Sequence, residues 1–215
     1  MAIYRAVPSC LTTSAQEIPG CTNFVLPVYG RDGRIKAAVW GLDSGNMADG
    51  VLPGLEKAAL LPGLSAPASI WGIVQFEQIM WYWNRSKELE AQAGEKIPGA
   101  LACHIAPWEF DYMRKLPEAL HPVGNTGEVY NLGALNSGLF AALVQRGDVK
   151  CVLAGHTHEN TAQAEYCGIE MCSVGSAGYS AYGIDALRGG RVVEFSESDP
   201  WHPATRMAYF DDLNQ

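Results

Sequence analysis

Residues 151–158, Cys-Val-Leu-Ala-Gly-His-Thr-His, hold the densest potential chemistry in the chain. An apolar run leads into Gly155 and then presents His156 and His158 two positions apart. In extended backbone residues i and i+2 point to the same side, so this spacing predicts two imidazoles facing one site. Gly155 allows a sharp turn or a close approach to a ligand. Two neutral imidazoles converging at a strand end are raw material for a transition-metal site. The plainer reading is a surface loop holding two of the chain's five histidines.

Residues 99–107, Gly-Ala-Leu-Ala-Cys-His-Ile-Ala-Pro, read as a second buried strand with His104 at its end and Pro107 closing it. Alone, a histidine there reads as a satisfied core residue. Beside a His-x-His pair it points to metal, because ligands in open α/β sheets sit at the carboxyl edge where strand ends meet.

The order of these segments resembles the calcineurin-like metallophosphoesterases: a strand ending in His104-Ile-Ala-Pro, a helix, then a strand ending in Gly155-His156-Thr157-His158. Leu42-Asp43-Ser44-Gly45, Asn136-Ser137-Gly138-Leu139-Phe140 and Arg146-Gly147-Asp148-Val149-Lys150 carry the likeness further, over roughly residues 21–183. Three earlier metal-binding motifs of that family, Asp-x-His, Gly-Asp and Gly-Asn-His-Asp/Glu, have no counterpart before His104. Gly45-Asn46 runs into Met47, and Gly147-Asp148 falls where the family does not place its motif; both read as turns.

The resemblance implies a metal-dependent phosphoester hydrolase and an α/β fold. Its intact form is an α/β/β/α sandwich, of which residues 1–215 form a single, incomplete C-terminal half. It implies two metal ions, with iron, zinc and manganese as candidates, that clamp a phosphoryl group around a bridging hydroxide. By the same resemblance His104 and His156 ligate one ion and His158 the other. The bridging carboxylate and remaining ligands would come from a missing N-terminal half or a partner chain. No catalytic residue is assigned. Two other readings stand beside this one: a noncatalytic metal-binding or interaction protein derived from the fold, and a self-sufficient His₃ hydrolase.

Several neighbours of the histidines could serve them. Glu159 and Asn160 could orient an imidazole from behind, or simply open the next hairpin. Tyr179 and Tyr182, in Gly178-Tyr-Ser-Ala-Tyr-Gly183, could flank a substrate pocket or pack with a solvated hydroxyl. Glu109 reads as a solvated loop acid, and His121 and His202, each before a proline, as loop residues.

Strands are expected over 23–29 and 35–42 around a Gly30–Gly33 hairpin turn, followed by a Gly/Pro-rich loop from Asp43 to Pro67. Ile73, Phe76, Ile79, Met80 and Trp83 recur at helical spacing opposite Gln75, Gln78 and Arg85, predicting a helix that buries this stripe and stops at Gly94. Asn136 or Ser137 is expected to cap a helix through Gln145. A hairpin is expected over 160–174, and later strands over 191–196 and 207–210.

The net charge is −8 with no basic stripe, which argues against a nonspecific nucleic-acid surface and leaves a phosphate substrate dependent on cations. The most apolar stretch, Ala68 to Trp83, is too short for a bilayer span. Among six cysteines, Cys103 and Cys151 read as buried hydrophobes, while Cys167 and Cys172 could approach across a hairpin.

Overall fold

The computed structural model describes residues 6–10, 18–48 and 71–213. The expected Asp43–Pro67 loop therefore falls largely outside the described residues. Strands β1 (Phe24–Tyr29) and β2 (Ile35–Gly41) form the predicted antiparallel hairpin. Helix α1 (Phe76–Ala93) carries the chain to β3 (Gly99–Cys103). The long connection that follows holds two single-turn helices, α2 (Tyr112–Lys115) and α3 (Pro117–Leu120), and then α4 (Leu139–Arg146). Next come β4 (Val149–Ala154), the hairpin β5 (Gln163–Tyr166) with β6 (Ile169–Ser173), a second hairpin of β7 (Gly189–Ser196) with β8 (Asp199–Tyr209), and α5 (Phe210–Leu213).

The main sheet runs β1-β2-β3-β4-β6-β5, parallel at its centre and antiparallel at both edges. Central parallel strands must be covered on both faces, which is why β3 and β4 are almost wholly buried. Leu101 and Val152 face the helical layer, meeting Ile79, Tyr82, Phe140 and Leu143. The alternate residues Ala100, Cys151 and Cys172 face Val193 and Phe195 of β7. Helices, sheet and hairpin thus form three layers of an α/β fold. Between sheet and hairpin a groove of about 370 Å³ stays open, bordered by Ala102, Leu153, Gly190 and Arg191.

Helix α1 ends as expected, with Gly94 in the left-handed region (φ 79°) donating to the Glu90 carbonyl. Its buried face is rotated from the expected one. Gln78, Ile79, Tyr82, Ser86 and Leu89 point inward, while Phe76 and Met80 are exposed. Gln78 can be buried because its polar atoms are satisfied: Nε2 donates to Asn23 Oδ1 and the Asp43 carbonyl, and Oε1 accepts the Gln75 N–H. Tyr82 and Ser86 both donate to the carboxylate of Asp148, which is buried and ties α1 to the entrance of β4. Gly147 turns the chain there in the left-handed region (φ 73°), so only half of the Gly147-Asp148 pair is a simple turn residue.

Other expectations need correcting. Neither Asn136 nor Ser137 caps α4; Gly138 does, in the left-handed region, with its N–H held by Asn136 Oδ1. His202-Pro203 lies inside β8 rather than in a loop, with His202 paired to Asp199 on the surface. Glu109 is not freely solvated: Oε1 accepts from Asn136 and Oε2 is buried. Cys172 does not meet Cys167; its sulfur lies 3.7 Å from that of Cys151. Among the described residues no helix is long and apolar enough to cross a membrane.

Candidate functional site

Strands β3 and β4 pair in parallel with Cys103 opposite Ala154, so their carboxyl ends finish level. His104 follows one strand and Gly155-His156 the other, which is how residues 52 apart in sequence arrive together. His156 holds φ 67°, and the Thr157 N–H closes back onto the Gly155 carbonyl at 2.8 Å. This is a γ-turn of the rarer positive-φ kind, a strained shape that persists where its surroundings enforce it. Gly155 is needed for closeness: a Cβ there would sit 3.3 Å from His104 Nδ1.

The two imidazoles are edge to face, with His156 Nδ1 only 3.1 Å from His104 Nε2. One ring proton is shared across that gap, so at least the accepting ring is neutral in this arrangement. Trp71 covers His156 edge-on at 4.4 Å, and His156 Nε2 is buried beneath it. Burial holds both imidazoles below the usual histidine range, with the neighbouring imidazoles adding to it and Glu128 opposing it at His156.

The sign of the pH effect follows. Below about pH 6.5 the unfolded chain takes up protons that the folded pair refuses. Stability contributed by neutral burial is therefore present above that pH and lost as pH falls through it. Melting temperature should drop on acidification from pH 7 to 5, and less so in a His104→Ala, His156→Ala double variant. Equal slopes would show that the pair does not titrate as described.

The backbone between His156 and His158 is a γ-turn rather than extended strand, so the i, i+2 rule does not describe how these two residues sit. His158 turns to Tyr182, whose ring stacks on it at 4.3 Å with planes 10° apart, and its Nδ1 lies 3.0 Å from the Tyr182 carbonyl. The Tyr182 hydroxyl donates to Glu128 Oε1 at 2.6 Å, and Glu128 Oε2 accepts the Glu159 N–H at 3.0 Å. Asn160 is buried and brackets the Glu128 backbone, accepting its N–H at 3.0 Å and donating to its carbonyl at 2.9 Å. Tyr179 lies over the Arg188 guanidinium, away from the histidines.

Sequence reasoning missed Glu128, a single acid in a long connection with nothing at recognisable spacing to mark it. Trp71 was equally silent. The donors present would suit two corners of one tetrahedral shell, the donor ring moving its proton to its other nitrogen so that both facing nitrogens are bare. They do not fit a dinuclear centre. Among the described residues no three His, Cys, Asp or Glu side chains gather as a metal cage.

An α/β protein presenting paired imidazoles at the carboxyl edge of its parallel strands is the class that geometry defines. No protein-family model matches the chain. It is 38% identical over 129 residues to Probable inactive purple acid phosphatase 14 of Arabidopsis thaliana, covering 56% of this chain and 31% of that protein. It is 32% identical over 182 residues to Probable inactive purple acid phosphatase 29 of the same plant, covering 79% of this chain and 42% of that protein. A solved dimetal phosphatase from Danio rerio overlaps 49% of this chain and 28% of its own, with a TM-score of 0.33 and 14% identity, too little to add weight. The curated relatives that this chain matches are purple acid phosphatase-like, of the calcineurin-like metallophosphoesterase superfamily. The chain spans less than half the length of these relatives, coverage that fits a C-terminal portion.

Proposed function

We propose that this chain supplies the histidine-bearing portion of a metal-dependent phosphoester hydrolase, with the other ligands drawn from a missing N-terminal half or a partner chain. The supporting observation is the level pairing of His104 and His156 at 3.1 Å, which offers two bare nitrogens once the donor ring carries its proton on its far nitrogen. In the family's chemistry the metal ions polarise the phosphoryl oxygens and activate the attacking water. Iron, zinc or manganese would suit imidazole donors. This chain's own share is to hold two neutral imidazoles rigidly and exclude water from one of them through Trp71.

Elemental analysis of the purified chain, with p-nitrophenyl phosphate hydrolysis in manganese or zinc, tests this. Alone, the chain should hold less than one metal and show no turnover. Mixed with an N-terminal phosphatase fragment carrying Asp-x-His and Gly-Asn-His, it should gain turnover that His156→Ala abolishes. Two tightly held metals and turnover from the chain alone would overturn the reading.

A second reading, a noncatalytic metal-binding or interaction protein, is favoured by the engagement of His158 with Tyr182 and is in keeping with relatives whose names call them inactive. It predicts no turnover under any complementation, with His156→Ala altering stability or partner binding.

A further inference from the structure

We propose that Cys172 and Cys151 form a peroxide-reactive dithiol, in which Cys172 takes the oxidant and Cys151 closes a disulfide that ties β4 to β6. This stands apart from the reading of the histidines and needs no metal. The two thiols occupy neighbouring parallel strands, Cys151 opposite Glu170 and Cys172 opposite Leu153. Both pack on the β7 side of the sheet, both are buried, and their sulfurs meet at 3.7 Å. A disulfide needs about 2.05 Å, so side-chain rotation has to close the remainder.

Burial among apolar groups makes a thiol inert, but the surroundings of Cys172 are not only apolar. Its sulfur lies 3.5 Å from the Thr205 hydroxyl, which accepts from the Arg191 guanidinium at 2.6 Å. A cation so placed favours the thiolate. Contact with Cys151 does most to hold the Cys172 thiol below the usual cysteine range, with Thr205 and Arg191 adding to it and burial and Glu170 opposing. Cys151 is pushed up by the same contact and by burial, so the two thiols are unequal. Access comes from the groove of about 370 Å³ between sheet and hairpin, which Leu153 and Arg191 both line. Leu153 is the register partner of Cys172, so the groove reaches the residue beside the thiol. Hydrogen peroxide, hardly larger than water, suits that path.

The Cys172 thiolate attacks one peroxide oxygen: an S–O bond forms, the O–O bond breaks, and hydroxide leaves to take up the proton the thiol released. The Cys151 sulfur then attacks Cys172. The S–S bond forms, the S–O bond breaks, and the oxygen departs as water with the Cys151 proton. The thiol pair gives up two electrons and one peroxide becomes two waters. The bridge closes a loop over residues 152–171, which holds the γ-turn at His156.

The test treats the reduced chain with hydrogen peroxide, alkylates the remaining thiols in denaturant and maps the peptides by mass spectrometry. The peptides of Cys151 and Cys172 should be joined with the loss of two hydrogens. In Cys151→Ser the reaction should stop at a sulfenic acid on Cys172, which dimedone captures; in Cys172→Ala, Cys151 should stay a thiol. Closing the loop should raise the melting temperature of oxidised wild type by roughly 5–10 °C over the reduced chain. No link, or a link from Cys172 to Cys167, would overturn the dithiol. Dimedone on Cys151 in Cys172→Ala would overturn the assigned order, and a linked chain that melts with the reduced one would overturn the tie between β4 and β6.

Discussion

An Asp148→Ala variant should lose about 3 kcal/mol of stability in urea unfolding followed by tryptophan fluorescence, because two buried hydroxyls lose their acceptor at once. Tyr82 and Ser86 both donate to this carboxylate from successive turns of α1, and neither is exposed to water that could replace it. Burial and the adjacent carboxylate push the Tyr82 hydroxyl up, so it stays a donor at any ordinary pH. Asp148→Asn, which keeps one acceptor oxygen, should recover about half of the loss. The Asp148 carbonyl also accepts the Gly99 N–H at 2.9 Å, so the residue sits where the β3–β4 pairing begins. A midpoint for the alanine variant equal to wild type would show that the carboxylate carries no such burden.

The second large effect is expected at Arg191 of β7. Its guanidinium donates to the Ser173 and Thr161 carbonyls and to the side chains of Gln163 and Thr205, joining the β7–β8 hairpin to the edge of the main sheet. Arg191→Met should cost about 3 kcal/mol, since it strands carbonyls that face no other donor from the hairpin. It should also open the hairpin to limited proteolysis before global unfolding, because the contact it removes is between layers. Arg191→Lys should rescue poorly: an ammonium is a point donor and cannot span the same four acceptors. Unchanged cleavage kinetics in Arg191→Met would show that apolar packing of Val193 and Phe195 holds the hairpin by itself.

Much of the fold was legible where local chemistry was unambiguous. The Gly30–Gly33 turn, the Gly94 stop and the apolar runs of β3 and β4 each have one plausible structure, and each formed it. The pairing of His104 with His156 was legible too, because strand ends in a parallel sheet meet at one edge. What failed depended on partners distant in sequence. Gln78 is buried only because Asn23 and Asp43 receive it, so periodicity alone chose Phe76 and Met80 for the core. The contact of His158 with Tyr182 was not legible, because the rule for i and i+2 assumes extended backbone and a γ-turn at His156 is invisible in residue types. Glu128 carried no signal, since its role comes from Tyr182, 54 residues away.

The level finish of Cys103 and Ala154 means that the donor pair is a by-product of strand register. Once β3 and β4 zip together, the register brings the ends that carry His104 and His156 level with each other. A ligand arriving later finds a seat already set, and pays little for ordering it. The corollary is a portable unit. Two strands, their register, Gly155 and the γ-turn at His156 together specify an imidazole pair that could be moved between parallel sheets as one piece.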